Sequence, residues 1–184
     1  GLVGSEMCIR DRLYPRSRGS VSKTVKFLVL IAHSLFPPGG AYSIIPEESI
    51  LSYNVSFISL GCAKNQVNCE QMMALCAEAG YSIQAQPEGC DVVVVNTCGF
   101  LASACEEAIE NILEMAELKK AGQVKKILVT GCMTQRYKED IFHELPEVDG
   151  LLGTGSYGDI ATAIAEVMEK GEKPCHLGNI HTAN

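Results

Sequence analysis

Three cysteines in this 184-residue chain share one setting. Ser59-Leu60-Gly61-Cys62, Asn96-Thr97-Cys98-Gly99 and Thr130-Gly131-Cys132 each place a cysteine beside a glycine directly after a short apolar run. Cysteine thiolates are the usual protein ligands of iron–sulfur clusters and also bind zinc. A closed structural zinc site takes a fourth ligand, and none stands near these motifs. Three thiolates suit an iron–sulfur cluster with one iron left open to an outside sulfur species. Any one of the three, taken alone, is as well explained as a small buried hydrophobe. It is their matched position that favours ligation. Gly61, Gly99 and Gly131 flank the sulfurs and leave room for a bulky inorganic group to approach the backbone.

The remaining cysteines read differently. Cys69, Cys76 and Cys105 fall within helical stretches. Cys62, Cys69 and Cys76 recur every seven residues, a spacing that marks one helix face, and small apolar residues on such a face normally pack in the core. Cys90 precedes a strand, and Cys8 and Cys175 lie toward the two ends. Neither CxxC nor CxxxCxxC occurs. Of the four histidines, His143 reads as a surface helix residue, and none is assigned to a site. Lys64, Asn65, Asn96, Gln135 and Arg136 stand next to the three motifs. They read equally as groups that orient ligands and as ordinary helix-start or surface residues.

The elements that must position these residues are legible from periodicity. Val55–Leu60 and Asp91–Asn96 predict buried strands, the second carrying four successive valines as in a strand covered on both faces. Lys125–Thr130 predicts a third, with short strands at Tyr81–Gln86, an edge, and Val148–Leu152. Helices are predicted over Asn65–Ala79, Leu101–Lys120, Thr134–Leu145 and Asp159–Lys170, with stops at Gly80, Gly122, Pro146 and Gly171. Alternating strands and helices predict a doubly wound, mostly parallel α/β sheet flanked by helices, a single flavodoxin-like domain with right-handed crossovers. In such a sheet the loops after the strands share one edge, so three cysteines that end three strands converge.

Residues 1–53 read as an unstructured or artefactual leader. Gly1–Arg12 resembles translated adaptor sequence, and Pro15, Pro37, Pro38 and Pro46 interrupt every candidate element. The apolar run Phe27–Phe36 follows Lys23 and Lys26, as in a signal peptide, but begins well inside the chain. It is too short to span a membrane. Residues 54–171 form the domain, and 172–184 read as a truncated linker.

Composition bounds the function. Hydrophobic residues make up 47% and charged residues 20%, a globular profile, and the net charge is −7. An acidic domain is poorly suited to gripping a phosphate backbone, so no direct nucleic-acid binding is expected. Nine cysteines cannot all pair within one chain, and their wide spacing is not that of a secreted disulfide scaffold. A reducing, cytoplasmic setting is expected.

With the motifs in view, the chain resembles the N-terminal domain of the radical-SAM methylthiotransferase family. The likeness rests on Ser59–Asn65 (SLGCAKN), Val95–Phe100 (VNTCGF), Val129–Tyr137 (VTGCMTQRY), and Pro146–Asp149 followed by Leu152–Gly155. SLGCAKN and NTCGF resemble the RimO branch, which methylthiolates an aspartate of a small-subunit ribosomal protein. The resemblance implies that Cys62, Cys98 and Cys132 hold an auxiliary 4Fe-4S cluster that supplies or carries the inserted sulfur. It also implies S-adenosylmethionine and a second 4Fe-4S cluster in a radical-SAM domain whose CxxxCxxC motif this sequence lacks. The 184 residues alone are therefore expected to be inactive. One departure stands out. Asn68-Cys69-Glu70 occupies the place of the family's Asp-Ser-Glu.

Two other readings are open at this point. The tRNA-modifying methylthiotransferase branch shares the fold and cluster. A metal-free flavodoxin-like or receiver-like module shares only the fold. The receiver's paired acids are replaced here by Gly61-Cys62, and Ala63-Lys64-Asn65-Gln66 does not supply a flavin phosphate loop.

Overall fold

The computed structural model describes residues 52–138 and 140–178. The Phe27–Phe36 run and nearly all of the expected leader lie outside them. Ser52 and Tyr53 belong to the fold. Tyr53 is buried, and its carbonyl accepts the N–H of Ser82.

Six strands form one sheet in the order β2-β1-β3-β4-β5-β6, every neighbouring pair parallel. They are β1 (Asn54–Ser59), β2 (Ser82–Gln84), β3 (Cys90–Thr97), β4 (Val124–Gly131), β5 (Gly150–Leu152) and β6 (Cys175–His176). Between them run α1 (Ala63–Glu78), α2 (Ala102–Lys120), the short α3 (Cys132–Tyr137) and α4 (Asp140–Glu144), and α5 (Ile160–Ala165). The doubly wound α/β reading holds, and β2 is an edge strand as expected.

The run of valines in β3 explains how two cores form. Side chains alternate across a strand, so Val93 and Val95 face α2, α3 and α4, with Ile112, Ile127, Met133 and Ile141. Val92 and Val94 face α1 and α5, with Met72, Cys76, Leu128 and Ile164. A strand covered on both sides has no place for a polar face, and the sequence accordingly shows none.

Three local expectations change. The predicted Thr134–Leu145 helix breaks into α3 and α4 at Lys138, which has φ of +50°. The break turns the chain so that Met133, Ile141 and Leu145 all reach the α2-side core. The segment after Gly171, read as linker, adds β6 to the sheet, where Leu151 and Leu152 pair with Cys175 and His176. A two-residue strand is too short to leave a periodic signal. The crossovers are also not of one hand. β3-α2-β4 and β5-α5-β6 step in the same direction across the sheet, yet their helices cover opposite faces. The last connection is thus opposite in hand to the others. The handedness rule arises from strand twist, and two residues of β6 impose little of it.

Candidate functional site

The carboxyl ends of β1, β3 and β4 are adjacent and level. Ser59 pairs with Asn96, Asn96 with Thr130, and Thr97 with Gly131. Cys98 and Cys132 therefore leave the sheet side by side, and Cys62 follows the end of β1 on their other flank. Crossovers diverge between β1 and β3, because α1 returns to β2 on one side and α2 leads to β4 on the other. Such a switch point opens a crevice at the carboxyl edge of an α/β sheet. Cys62 and Cys98 stand on its two walls.

Glycines bring these loops together. A Cβ on Gly61 would lie 2.5 Å from the Cβ of Cys98 and 3.4 Å from its Sγ. A Cβ on Gly99 would lie 2.8 Å from the carbonyl carbon of Cys132. Any side chain at either position would wedge the cysteine loops apart.

Asn65 is the hub. Its side chain is almost wholly buried, and its Nδ2 donates to the carbonyls of Leu60 (3.0 Å) and Thr97 (3.1 Å). Asn96 Nδ2 donates back to the Asn65 carbonyl at 2.7 Å. The Cys132 thiol points its weak donor at Asn65 Oδ1, 4.0 Å away. One amide thus ties the turn before Cys62 to the residue before Cys98 and touches Cys132. Arg136 adds a link from α3 to the Gly99 carbonyl at 3.1 Å. Asn65, Asn96 and Arg136 tie the backbone of these loops together, while Lys64 is exposed. Replacing Asn65 by Ala orphans two buried carbonyls. The expected cost is about 2–4 kcal/mol, read as a shift of the urea midpoint with the slope unchanged.

The three thiols differ in environment. Cys62 caps α1, is exposed, and sits over free backbone N–H groups. The N–H of Asn65, and then that of Lys64, hold its pKa below the ordinary thiol range. Cys132 is half-buried. Burial pushes its thiol up, as does negative charge on Cys98 and Cys62, against the Gly99 N–H and Lys64. Cys98 is buried. No disulfide joins cysteines among the described residues. No group of three or more His, Cys, Asp or Glu among them closes on a point suited to a single metal ion.

The other cysteines pack as expected. Cys69 and Cys76 are buried in α1, and burial pushes their thiols up to about 11 and about 12. They remain neutral at physiological pH. Cys105 turns its thiol to the Cys98 carbonyl at 3.6 Å. His143 is exposed on α4.

Two features escaped the sequence reading. Val67, Phe100 and Leu101 are the exposed large hydrophobics among the described residues; Val67 lies near the start of α1, and Phe100 and Leu101 lie in the turn after Cys98. Tyr157, in the 3-10 turn Tyr157–Asp159 beyond β5, brings its phenol under the influence of Cys132, Cys62 and Cys69. The strand-end logic that singled out the cysteines would have reached it, had that logic been carried past β5 to residues other than cysteine.

An all-parallel sheet flanked by helices, with its switch point between β1 and β3, defines a doubly wound α/β domain. More particularly, the chain belongs to the family described as Uncharacterized protein family UPF0004, which it matches over residues 54–153. That stretch contains Cys62, Cys98 and Cys132. Among its relatives is the ribosomal protein uS12 methylthiotransferase RimO of Lachnoclostridium phytofermentans, 53% identical over 116 residues, or 63% of this chain and 26% of the relative. The protein of the same name in Anaeromyxobacter sp. (strain K) is 48% identical over 112 residues, 61% of this chain and 24% of the relative. That of Kineococcus radiotolerans is 41% identical over 130 residues, 71% and 26%. The resemblance read from the cysteine motifs is borne out. The chain spans about a quarter of the length of these relatives.

Proposed function

We propose that this chain is the cluster-binding domain of a methylthiotransferase that modifies an aspartate of ribosomal protein uS12, with Cys62, Cys98 and Cys132 as ligands of a 4Fe-4S cluster. One observation carries the reading. Three thiols end three adjacent parallel strands on one edge, drawn together by glycines that admit no side chain. The donor set is chemically suited to iron and sulfide, because it consists of thiols alone. When bound, the cluster would supply or carry the sulfur to be inserted.

The protein's own contribution is to hold the ligands in register. Backbone N–H groups at the start of α1 favour Cys62 as a thiolate. Asn65 and Arg136 fix the spacing of the three loops. Cys69 and Cys76, neutral and enclosed in α1, are not counted among the ligands. Phe100, Leu101 and Val67 give the same edge an apolar rim. S-adenosylmethionine chemistry and a second cluster belong, in this reading, to a radical-SAM domain of the parent enzyme. A ribosomal-protein substrate fits a cytoplasmic enzyme. Among the described residues, no helix is long and apolar enough to cross a membrane.

A chimera tests the assignment. Residues 54–178 replace the matching region of the Lachnoclostridium relative, and uS12 and bulk tRNA are both offered as substrates. Mass spectrometry should find a methylthio group on a uS12 aspartate. Modification of tRNA with uS12 untouched would overturn the substrate assignment.

A further inference from the structure

Phe100 is 86% exposed and Leu101 57% exposed, in the turn between Cys98 and α2. The backbone on both sides of them is tied down. A Cβ on Gly99 would come within 2.8 Å of the backbone of Cys132 and Met133, and the Gly99 carbonyl accepts from Arg136 at 3.1 Å. The Leu101 carbonyl accepts the Cys105 N–H at 3.0 Å, and the Cys98 carbonyl accepts the Cys105 thiol at 3.6 Å. The turn is thus held while an aromatic ring and its neighbouring leucine stand in water. An apolar pair on fixed backbone has the form of a protein-binding anchor.

The first turn of α2 continues this surface. Ser103, Glu106, Glu110, Glu114 and Glu117 are exposed. Their spacing of three and four residues lines them up in one stripe along the helix. At the rise of an α-helix the stripe ends about 24 Å from Leu101. Glu117 pairs with Lys120 at 2.9 Å, and Glu106, Glu110 and Glu114 form no ion pair among the described residues. Like charges at successive i,i+4 positions weaken a helix. The stripe therefore adds nothing to the stability of the domain, and a cationic partner would turn its repulsion into attraction.

We propose that Phe100, Leu101 and the acidic stripe of α2 form the docking surface for the basic protein that the enzyme modifies, with Phe100 as the apolar anchor. The inference rests on the proposed function and deepens it, by naming where the substrate protein sits. A ribosomal protein binds an RNA backbone, and proteins do so through lysine and arginine. This chain carries a net charge of −7, and α2 concentrates negative charge directly after the turn that holds Cys98. Opposite charge guides encounter and orientation, and the desolvated ring then slows release. The same stripe repels a nucleic acid.

Binding of the 184-residue chain to purified uS12 is followed by biolayer interferometry at low and at physiological salt. One variant combines Glu106→Gln, Glu110→Gln and Glu114→Gln, which removes charge and keeps helix propensity. The other is Phe100→Ser. The triple variant should associate about tenfold more slowly at low salt and lose most of its salt dependence. Phe100→Ser should dissociate about tenfold faster. Both should melt at the temperature of the parent chain. Parent rates in either variant would overturn the surface. A chain that binds no uS12, beside a chimera that still methylthiolates it, would overturn the surface and leave the proposed function standing. Modification of tRNA by the chimera would overturn the function, and this inference with it. A dimer of the parent chain that Phe100→Ser dissociates would assign the face to a second copy. A chimera that melts lower when it carries Phe100→Ser would assign it to the rest of the enzyme. Either result overturns the proposal.

Discussion

Alanine at Cys62, Cys98 or Cys132 should each abolish assembly of the iron–sulfur cluster, while alanine at Cys69, Cys76 or Cys105 should leave it intact. The two groups differ in where the backbone directs the sulfur. Cys62 and Cys98 sit in loops at the sheet edge and Cys132 opens α3 there, whereas Cys69 and Cys76 sit inside α1 with almost no exposed surface. Two thiolates rarely retain a four-iron core, so a single deletion in the first group suffices. In the second group the loss is one small buried group, at most about 1–2 kcal/mol. Cys105 is the sharpest control. It lies beside Cys98, but its thiol is committed to the Cys98 carbonyl. Iron and sulfide per chain after anaerobic reconstitution decide the matter. Loss of iron in Cys69→Ala with retention in Cys132→Ala would transfer the site to the heptad ladder on α1 and end the strand-edge reading.

Gly131→Ala should be the most damaging single methyl in the domain. Gly131 has φ of +104°, and a Cβ there would lie 2.2 Å from the carbonyl oxygen of Thr97 and 2.7 Å from Asn96 Oδ1. The first is backbone of the neighbouring strand and cannot swing aside. The expected cost is about 3 kcal/mol or more, from backbone strain and forced separation of β3 from β4. In a domain of this size that is a fall in thermal midpoint on the order of 10 °C. Gly89→Ala provides the comparison. It has a similarly positive φ of +84°, but nothing lies within 4 Å of the added carbon. It should lose only the conformational cost, about 1 kcal/mol. Similar losses at the two positions would mean that the close approach of the strands at Gly131 contributes nothing to stability. Because Gly131 directly precedes Cys132, the damaged variant should also hold iron poorly even where it still folds.

Much of this domain was legible from residue order alone. Strands and helices follow from local periodicity, and the four valines of β3 already imply a layer on each side. The convergence of Cys62, Cys98 and Cys132 was legible too, because parallel topology forces the ends of successive strands onto one edge. The packing role of Cys69 and Cys76 follows from the same helical spacing that buries Met72. These are consequences of rules in which each residue's position depends on near neighbours or on the general topology.

Tertiary structure decided the rest. The amide of Asn65 reaches carbonyls 5 and 32 residues away in sequence, and no local pattern distinguishes that clamp from an ordinary helix-start asparagine. The break at Lys138 exists because two apolar segments must reach one core, a demand set by the sheet. β6 exists only because β5 offers an unpaired edge to a two-residue segment with no periodicity of its own. Sequence determines the elements and the edge on which their ends gather, since those depend on local propensity and chain direction. Which long-range polar groups meet at that edge, and which are left without a partner, depends on the three-dimensional closure of loops far apart in the chain.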